Sequence, residues 1–216
     1  VATVLRAAGL DPTVAVGGKM QSLGTGARLG GGDLLVAEAD ESDGSFLRLS
    51  PTIAVVTNID LEHLDFWGTH EKLKQAFVEF CSRVPFYGLS VVCLDHPTVQ
   101  EVLPDIEGRV VTYGVSPQAD YAVRGVHYRG LQTVFNAYRR GEPIGGDTIN
   151  MPGAHNVMNC LAAIAVADEL SVPRDVTKEA LATFTGVGRR FSVVGDVAGI
   201  KLVDDYAHHP AEIRAT

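Results

Sequence analysis

Four carboxylates, Glu38, Asp40, Glu41 and Asp43, fall within six residues at the end of the apolar run Leu34-Leu35-Val36-Ala37. Acids delivered together in this way suit a hard divalent cation, and Mg²⁺ is usually held by one or two carboxylates plus substrate phosphates. A second apolar run, Thr52 to Thr57, leads into Asn58-Ile59-Asp60-Leu61-Glu62-His63-Leu64-Asp65. Glu38 and His63 are the metal candidates, although imidazole favours softer metals and a lone histidine is as readily structural. His155, Asn156 and Asn159 stand at the start of a long apolar stretch. If that stretch is a helix, its free N–H groups favour phosphate and the amides can read a purine edge, with simple N-capping as the alternative. Arg189-Arg190, after Gly186-Val187-Gly188, offers a cation for a transferring phosphoryl group or an exposed pair without function. Asp204-Asp205 again follows an apolar strand.

These clusters need a scaffold that brings element ends together. Strands buried on both faces read as continuous Leu/Val/Ile runs, and open α/β sheets bind ligands beyond the carboxyl ends of their strands. Strands are predicted over Thr13–Val16, Leu34–Ala37, Thr52–Thr57, Ser90–Leu94 and Arg109–Tyr113. A helix is predicted over His70–Val84, capped by Thr69 and ended by Pro85, with Leu73, Phe77, Phe80 and Cys81 as its core stripe. Short and long helices follow over Pro97–Leu103, Gly153–Leu170 and Arg174–Phe184. Alternation of strand and helix predicts an α/β fold with a mostly parallel, doubly wound sheet. Asp120 to Asn150, β-rich with Gly-containing turns, predicts a small antiparallel β subdomain inserted before the long helix. Gly17 to Gly32, with seven glycines, predicts a flexible loop over a ligand. Phe191–Val197 and Ile200–Val203 are predicted to form a hairpin or two strands joined at Ala198-Gly199, and a new helix is predicted to begin at the segment ending in Pro210.

Composition narrows the function classes. A net charge of −8 argues against nucleic acid as the main partner, and no apolar run approaches the length of a membrane span. Cys81, Cys93 and Cys160 have neither zinc nor disulfide spacing, which fits a reducing cytoplasm. The chain opens without Met, on what reads as the end of a helix stopped by Gly9, and is expected to be a piece of a longer protein.

Five segments, taken in order, carry a resemblance. Ala37-Glu38-Ala39-Asp40-Glu41-Ser42-Asp43, Val56-Thr57-Asn58-Ile59-Asp60 with His63 and Asp65, Met151-Pro152-Gly153 with His155, Asn156 and Asn159, Gly188-Arg189-Arg190-Phe191, and Asp204-Asp205-Tyr206-Ala207-His208-His209-Pro210 resemble the Mur ligases. The resemblance implies an ATP-dependent ligation in peptidoglycan biosynthesis, with UDP-N-acetylmuramate and L-alanine as substrates. In it ATP phosphorylates a carboxylate to an acyl phosphate, and the amine then attacks and expels phosphate. Glu38 resembles the family's ligand to Mg²⁺ at the ATP phosphates, and His63 its ligand to a second Mg²⁺. Asn156 and Asn159 look like nucleotide contacts, with His155 beside them, and Arg190 and Asp205 match residues that hold ATP at a domain junction. The family's Gly-x-x-Gly-Lys-Thr loop has no counterpart in these residues.

The resemblance therefore implies a central ATP-binding domain over residues 1–190, the beginning of a C-terminal ligase domain over 191–216, and further N- and C-terminal domains as partners. The chain alone is expected to be inactive. A murein-peptide ligase of the recycling pathway and a non-catalytic nucleotide-binding module are the alternatives.

Overall fold

The structure is a computed structural model and describes residues 1–20 and 24–216. Its centre is a six-stranded sheet in the order β4 (Ile53–Val56), β5 (Leu89–Cys93), β6 (Val110–Gly114), β7 (Tyr121–Arg129), β8 (Gln132–Arg139), β9 (Glu142–Ile149). β4 through β7 pair in parallel, whereas β7–β8 and β8–β9 are antiparallel. The expected α/β class with a mostly parallel sheet is what forms. The expected antiparallel strands between Asp120 and Asn150 form too, and they continue the same sheet, because Tyr113 and Gly114 of β6 pair directly with Tyr121 and Ala122 of β7. Asp120 makes that junction: its Oδ2 accepts from both the backbone N–H and the hydroxyl of Thr112, at 3.0 Å each.

Every residue of β5 is buried, and its side chains divide between two cores. Leu89, Val91 and Cys93 face α1 (Ala2–Ala7), α5 (Ala154–Glu169) and α6 (Arg174–Ala182). Val92 faces α3 (His70–Ser82) and α4 (Pro97–Val102). Side chains alternate across a strand, so helices on both faces are needed to bury such a run. α3 begins as expected, with the Thr69 hydroxyl accepting from Lys72 N, and buries Leu73, Ala76, Phe80 and Cys81. α5 ends beside the amino end of β6, where Glu169 takes Arg109 in a two-pronged pair of 2.7 and 3.0 Å. It therefore runs against the strand direction and aims its first turn toward the carboxyl ends of the sheet.

Beside this sheet lies a smaller one in the order β2 (Thr25–Arg28), β1 (Thr13–Met20), β3 (Leu35–Ala37). Two expectations are corrected here. Gly17 and Gly18 belong to β1 rather than to a flexible loop, and Gly26 belongs to β2; residues 21–23 of that expected loop lie outside the described residues. β3 is not fully buried. Among the described residues it pairs with β1 alone, at the edge, so Leu35 is 64% exposed while Val36 packs on the core. After the long helices come β10 (Ser192–Val197) and β11 (Ile200–Asp204), then the short α7 (Pro210–Ala215).

Candidate functional site

β3 ends at Ala37, and the next residue is tied back to the neighbouring strand. Glu38 N donates to Ala15 O at 2.8 Å, and Glu38 Oε2 accepts from Gly17 N at 2.6 Å. The absence of a side chain at Gly17 permits this, because a Cβ there would lie 3.3 Å from that oxygen. Of the other three acids, two are used locally. Asp40 accepts from Ser42 N and Asp43 from Ser45 N, closing Asx turns, and the Ser42 and Ser45 hydroxyls, followed by these N–H groups, hold the two carboxyls below their usual pKa. Glu38 and Glu41 remain.

Glu41 faces the end of β4. Its backbone carbonyl accepts from Trp67 Nε1 at 2.9 Å, and Trp67 is itself packed on Phe46. Trp67 closes the single-turn α2 (Leu64–Trp67), whose N-cap is His63 in a left-handed conformation with φ 53°. His63 Nε2 lies 3.9 Å from Glu41 Oε1 and 3.8 Å from Glu62 Oε2. Among the described residues these three form the single His/acid group compact enough to hold a metal ion, with their ligand atoms within 4.8 Å of one another. Glu38 is not part of it. Burial pushes the Glu62 carboxyl above its usual pKa, opposed by His209 and reinforced by Glu41 and Asp60.

The start of α5 supplies the second set. Gly153 has φ 96°, a conformation that favours glycine, and a Cβ on it would come within 2.6 Å of the His155 ring, which would have to shift. Asn156 is buried, and its Nδ2 donates to Pro152 O at 2.7 Å, which fastens the helix to the Met-Pro-Gly turn before it. His155 and Asn159 are exposed. Partial burial of the His155 ring lowers its pKa, while Asp205 pulls it up and Arg190 pushes it down.

Those two charges belong to the third set. Asp205 Oδ2 accepts from Phe191 N at 2.7 Å and its Oδ1 from Ala207 N at 2.8 Å, so one carboxylate clamps the loop before β10 to the segment after β11. Arg189 and Phe191 both have positive φ, and Arg189 lies over the Tyr206 ring at 4.5 Å. Arg190 Nη1 sits 3.5 Å from Glu212 Oε1 and remains about half exposed.

The sets converge. Met20 bridges to Val187, and Gly18 presses so closely on the Val187 side chain that a Cβ would meet it at 2.7 Å, joining the Glu38 strand pair to the Arg190 loop. His209 Nδ1 lies 2.8 Å from Glu62 Oε1, joining the last segment to the His63 loop. His155 feels both Asp205 and Arg190. Sequence reasoning missed Glu41 and Glu62 as neighbours of His63, and His209 as a neighbour of Glu62. The adjacency of Glu62 to His63 was the one available signal; nothing in the sequence paired His209 with either. His96, bonded to Asp60 at 3.1 Å beyond β5, was likewise missed.

The Mur ligase middle domain family matches residues 21–167. A relative from Sorangium cellulosum, named UDP-N-acetylmuramate–L-alanine ligase, is 76% identical over 100% of this chain, which covers 46% of the relative. A Thermotoga maritima crystal structure of UDP-N-acetylmuramate–alanine ligase matches 99% of this chain and 48% of its own, at 31% identity and a TM-score of 0.86. A Neisseria structure named UDP-N-acetylmuramate:L-alanyl-γ-D-glutamyl-meso-diaminopimelate ligase covers 87% of this chain and 62% of its own, at 27% identity and a TM-score of 0.78. The chain spans about half the length of the curated relatives it matches.

Proposed function

The chain belongs to the Mur ligase family through its middle domain, and from that membership we propose that it is the ATP-handling part of an enzyme joining L-alanine to UDP-N-acetylmuramate. The observation that carries the reading is the convergence of five separate segments at one end of the sheet. The acid-ended β3 and β4, the first turn of α5, the Arg190 loop and the segment after β11 all meet there. A ligand crevice beyond the carboxyl ends of the strands is where this architecture binds substrates. The greater identity to L-alanine ligases than to the tripeptide-adding structure favours L-alanine as acceptor.

In this reading ATP first phosphorylates the muramate carboxylate, and the L-alanine amine then attacks the acyl phosphate and expels phosphate. Phosphoryl transfer asks little acid–base chemistry of a protein and much positioning. Glu38 fits a hard cation: it is an exposed carboxylate, preset by Gly17 N, at the strand end. Glu38 would hold Mg²⁺ at the ATP phosphates and His63 a second one near the acyl phosphate. Bound there, the metal lowers the repulsion between phosphate and attacking carboxylate. Arg190 supplies fixed positive charge to the phosphates, and Asp205 keeps Arg190 in place by clamping its loop. His155, with a lowered pKa, stays neutral near pH 7 and lends ring N–H or lone pair rather than charge. Asn159, on the open face of α5, is assigned to adenine. Asn156 keeps the turn beneath it in shape.

We place the boundary between the ATP-binding domain and a following ligase domain near residue 190, and assign the reaction to the cytoplasm. The test is acceptor choice by the full-length protein. ATP-dependent release of phosphate with UDP-N-acetylmuramate is expected with L-alanine as acceptor. Turnover with the tripeptide alone would replace this reading by the murein-peptide ligase.

A further inference from the structure

β4, β5 and β6 lie side by side and run the same way, with Val56 opposite Val92 and Cys93 opposite Tyr113. The loops that follow them leave from one edge, and the loop of the middle strand bonds to both neighbours. On one side Asp95 accepts from Val115 N at 2.6 Å and from Ser116 N at 3.2 Å. Gly114 makes room for that carboxylate, because a Cβ there would lie 2.5 Å from its Oδ1. On the other side His96 Nε2 lies 3.1 Å from Asp60 Oδ1. A carboxylate only accepts, so the ring nitrogen facing it carries the proton and donates.

Asp60 belongs to the loop after β4, three residues before His63. Its carbonyl accepts from Glu62 N at 2.9 Å, which closes the turn leading into the left-handed His63. Ile59 pins the same loop into the core beneath α3 and α4. Among the described residues, His96 is the one side chain from a neighbouring strand end that holds this loop by a hydrogen bond. The imidazole is 21% exposed and the carboxylate 33%, so the contact is partly shielded from water. His96 Nδ1 is buried and has no partner among the described residues, so the Asp60 bond alone orients the ring.

We propose that His96 is a positioning residue: through Asp60 it sets where the 58–63 loop stands over the strand ends. Its effect on turnover rests on the ligase reading, whereas its hold on the loop does not. A shift of about 1 Å in a positioning group is enough to slow a reaction by about 10²-fold.

Two amide variants of the full-length protein test this. Gln places its Nε2 where the ring Nε2 stands, whereas Asn reaches only as far as the unbonded Nδ1. His96 is also the N-cap of α4, a place that suits Asn better than Gln. A merely structural role therefore favours His96→Asn, and a positioning role favours His96→Gln. In His96→Ala and His96→Asn kcat should fall by about tenfold or more, and in His96→Gln return to within about threefold, with KM for L-alanine nearly unchanged. Hydrogen exchange of the 58–63 amides should speed up in the first two variants and slow again in His96→Gln. Asp60→Ala serves as the second variant if His96→Ala melts early. Its loss should match that of His96→Ala, and the double variant should be no worse than either. Unchanged kcat or unchanged exchange in His96→Ala, or rescue by Asn rather than Gln, would overturn the positioning role. Absence of ligation by the unaltered protein would sink the ligase reading, and the exchange measurement would still decide the role of His96.

Discussion

The two ends of the central sheet treat charge in opposite ways. At the amino ends of β5 and β6, toward the last turn of α5, the charged side chains pair with one another. Arg109 takes Glu169, Arg139 takes Asp168 at 3.0 Å, and Arg140 takes Asp120 at 3.3 Å. At the carboxyl ends Glu38 and Asp205 bond to backbone N–H groups, Glu41 and Glu62 gather around His63, and among the described residues Arg189 and Arg190 each have one loose acidic neighbour, Asp204 at 3.8 Å and Glu212 at 3.5 Å. Paired charges are satisfied and have nothing left for a ligand. Charges held in place by backbone, with capacity to spare, are preorganised for something that arrives. The contrast is an argument, independent of any relative, for the site proposed at the carboxyl ends.

The sharpest way to break the contrast is Glu38→Gln in the full-length protein, assayed for the proposed ligation. Turnover should fall by about 10³-fold or more, as expected when a metal-binding or charge-stabilising group is lost, with the melting temperature nearly unchanged. Near-normal turnover would remove Glu38 from the chemistry.

Next in size is a change of stability near the paired end. Asp147 is fully buried on β9 and bonded to Arg174 at the start of α6, and burial raises its pKa against the pull of that guanidinium. Asp147→Ala strands the arginine and should cost about 3 kcal/mol in urea unfolding. A loss under about 1 kcal/mol would mean that water already compensates the pair.

Arg109→Ala, by contrast, breaks a pair that is half exposed, and should cost at most about 1 kcal/mol with turnover unaffected. A large loss of turnover would show that the two ends communicate.

The smallest effect is on His155. Its NMR titration midpoint should lie below the ordinary value of 6.5. Asp205→Asn should lower it further and Arg190→Ala should raise it, since the carboxylate favours the imidazolium and the guanidinium opposes it. A depressed folded-state pKa adds stability above the ordinary histidine pKa, and that stability fades as pH falls through the folded value. Unchanged midpoints in both variants would separate His155 from the junction.

Much of this could be read along the chain, because it depends on near neighbours. The Thr69 cap, the α3 stripe, the long α5 and the turn at Ala198-Gly199 are each settled within a few residues. β2, β9 and α2 escaped notice. β2 and β9 are rich in glycine, proline or charge, and they form because a partner strand is present rather than by propensity. α2 is a single turn of four residues, too short to leave a periodic signal. The apolar run before Glu38 read as a buried strand, yet its depth depends on what stands beside it, and β3 is at an edge.

The sequence by itself determined which residue types sit at the ends of strands and helices, since hydrophobic runs and their terminators are local. Only the tertiary structure decided how those residues are shared out. It turned Asp40 and Asp43 inward onto their own turns, left Glu38 on Gly17 N, and gathered Glu41, Glu62, His63 and His209 from three separate stretches. Spacing along a chain cannot state distances across a fold, because those are set by strand pairing and helix packing between residues far apart in sequence.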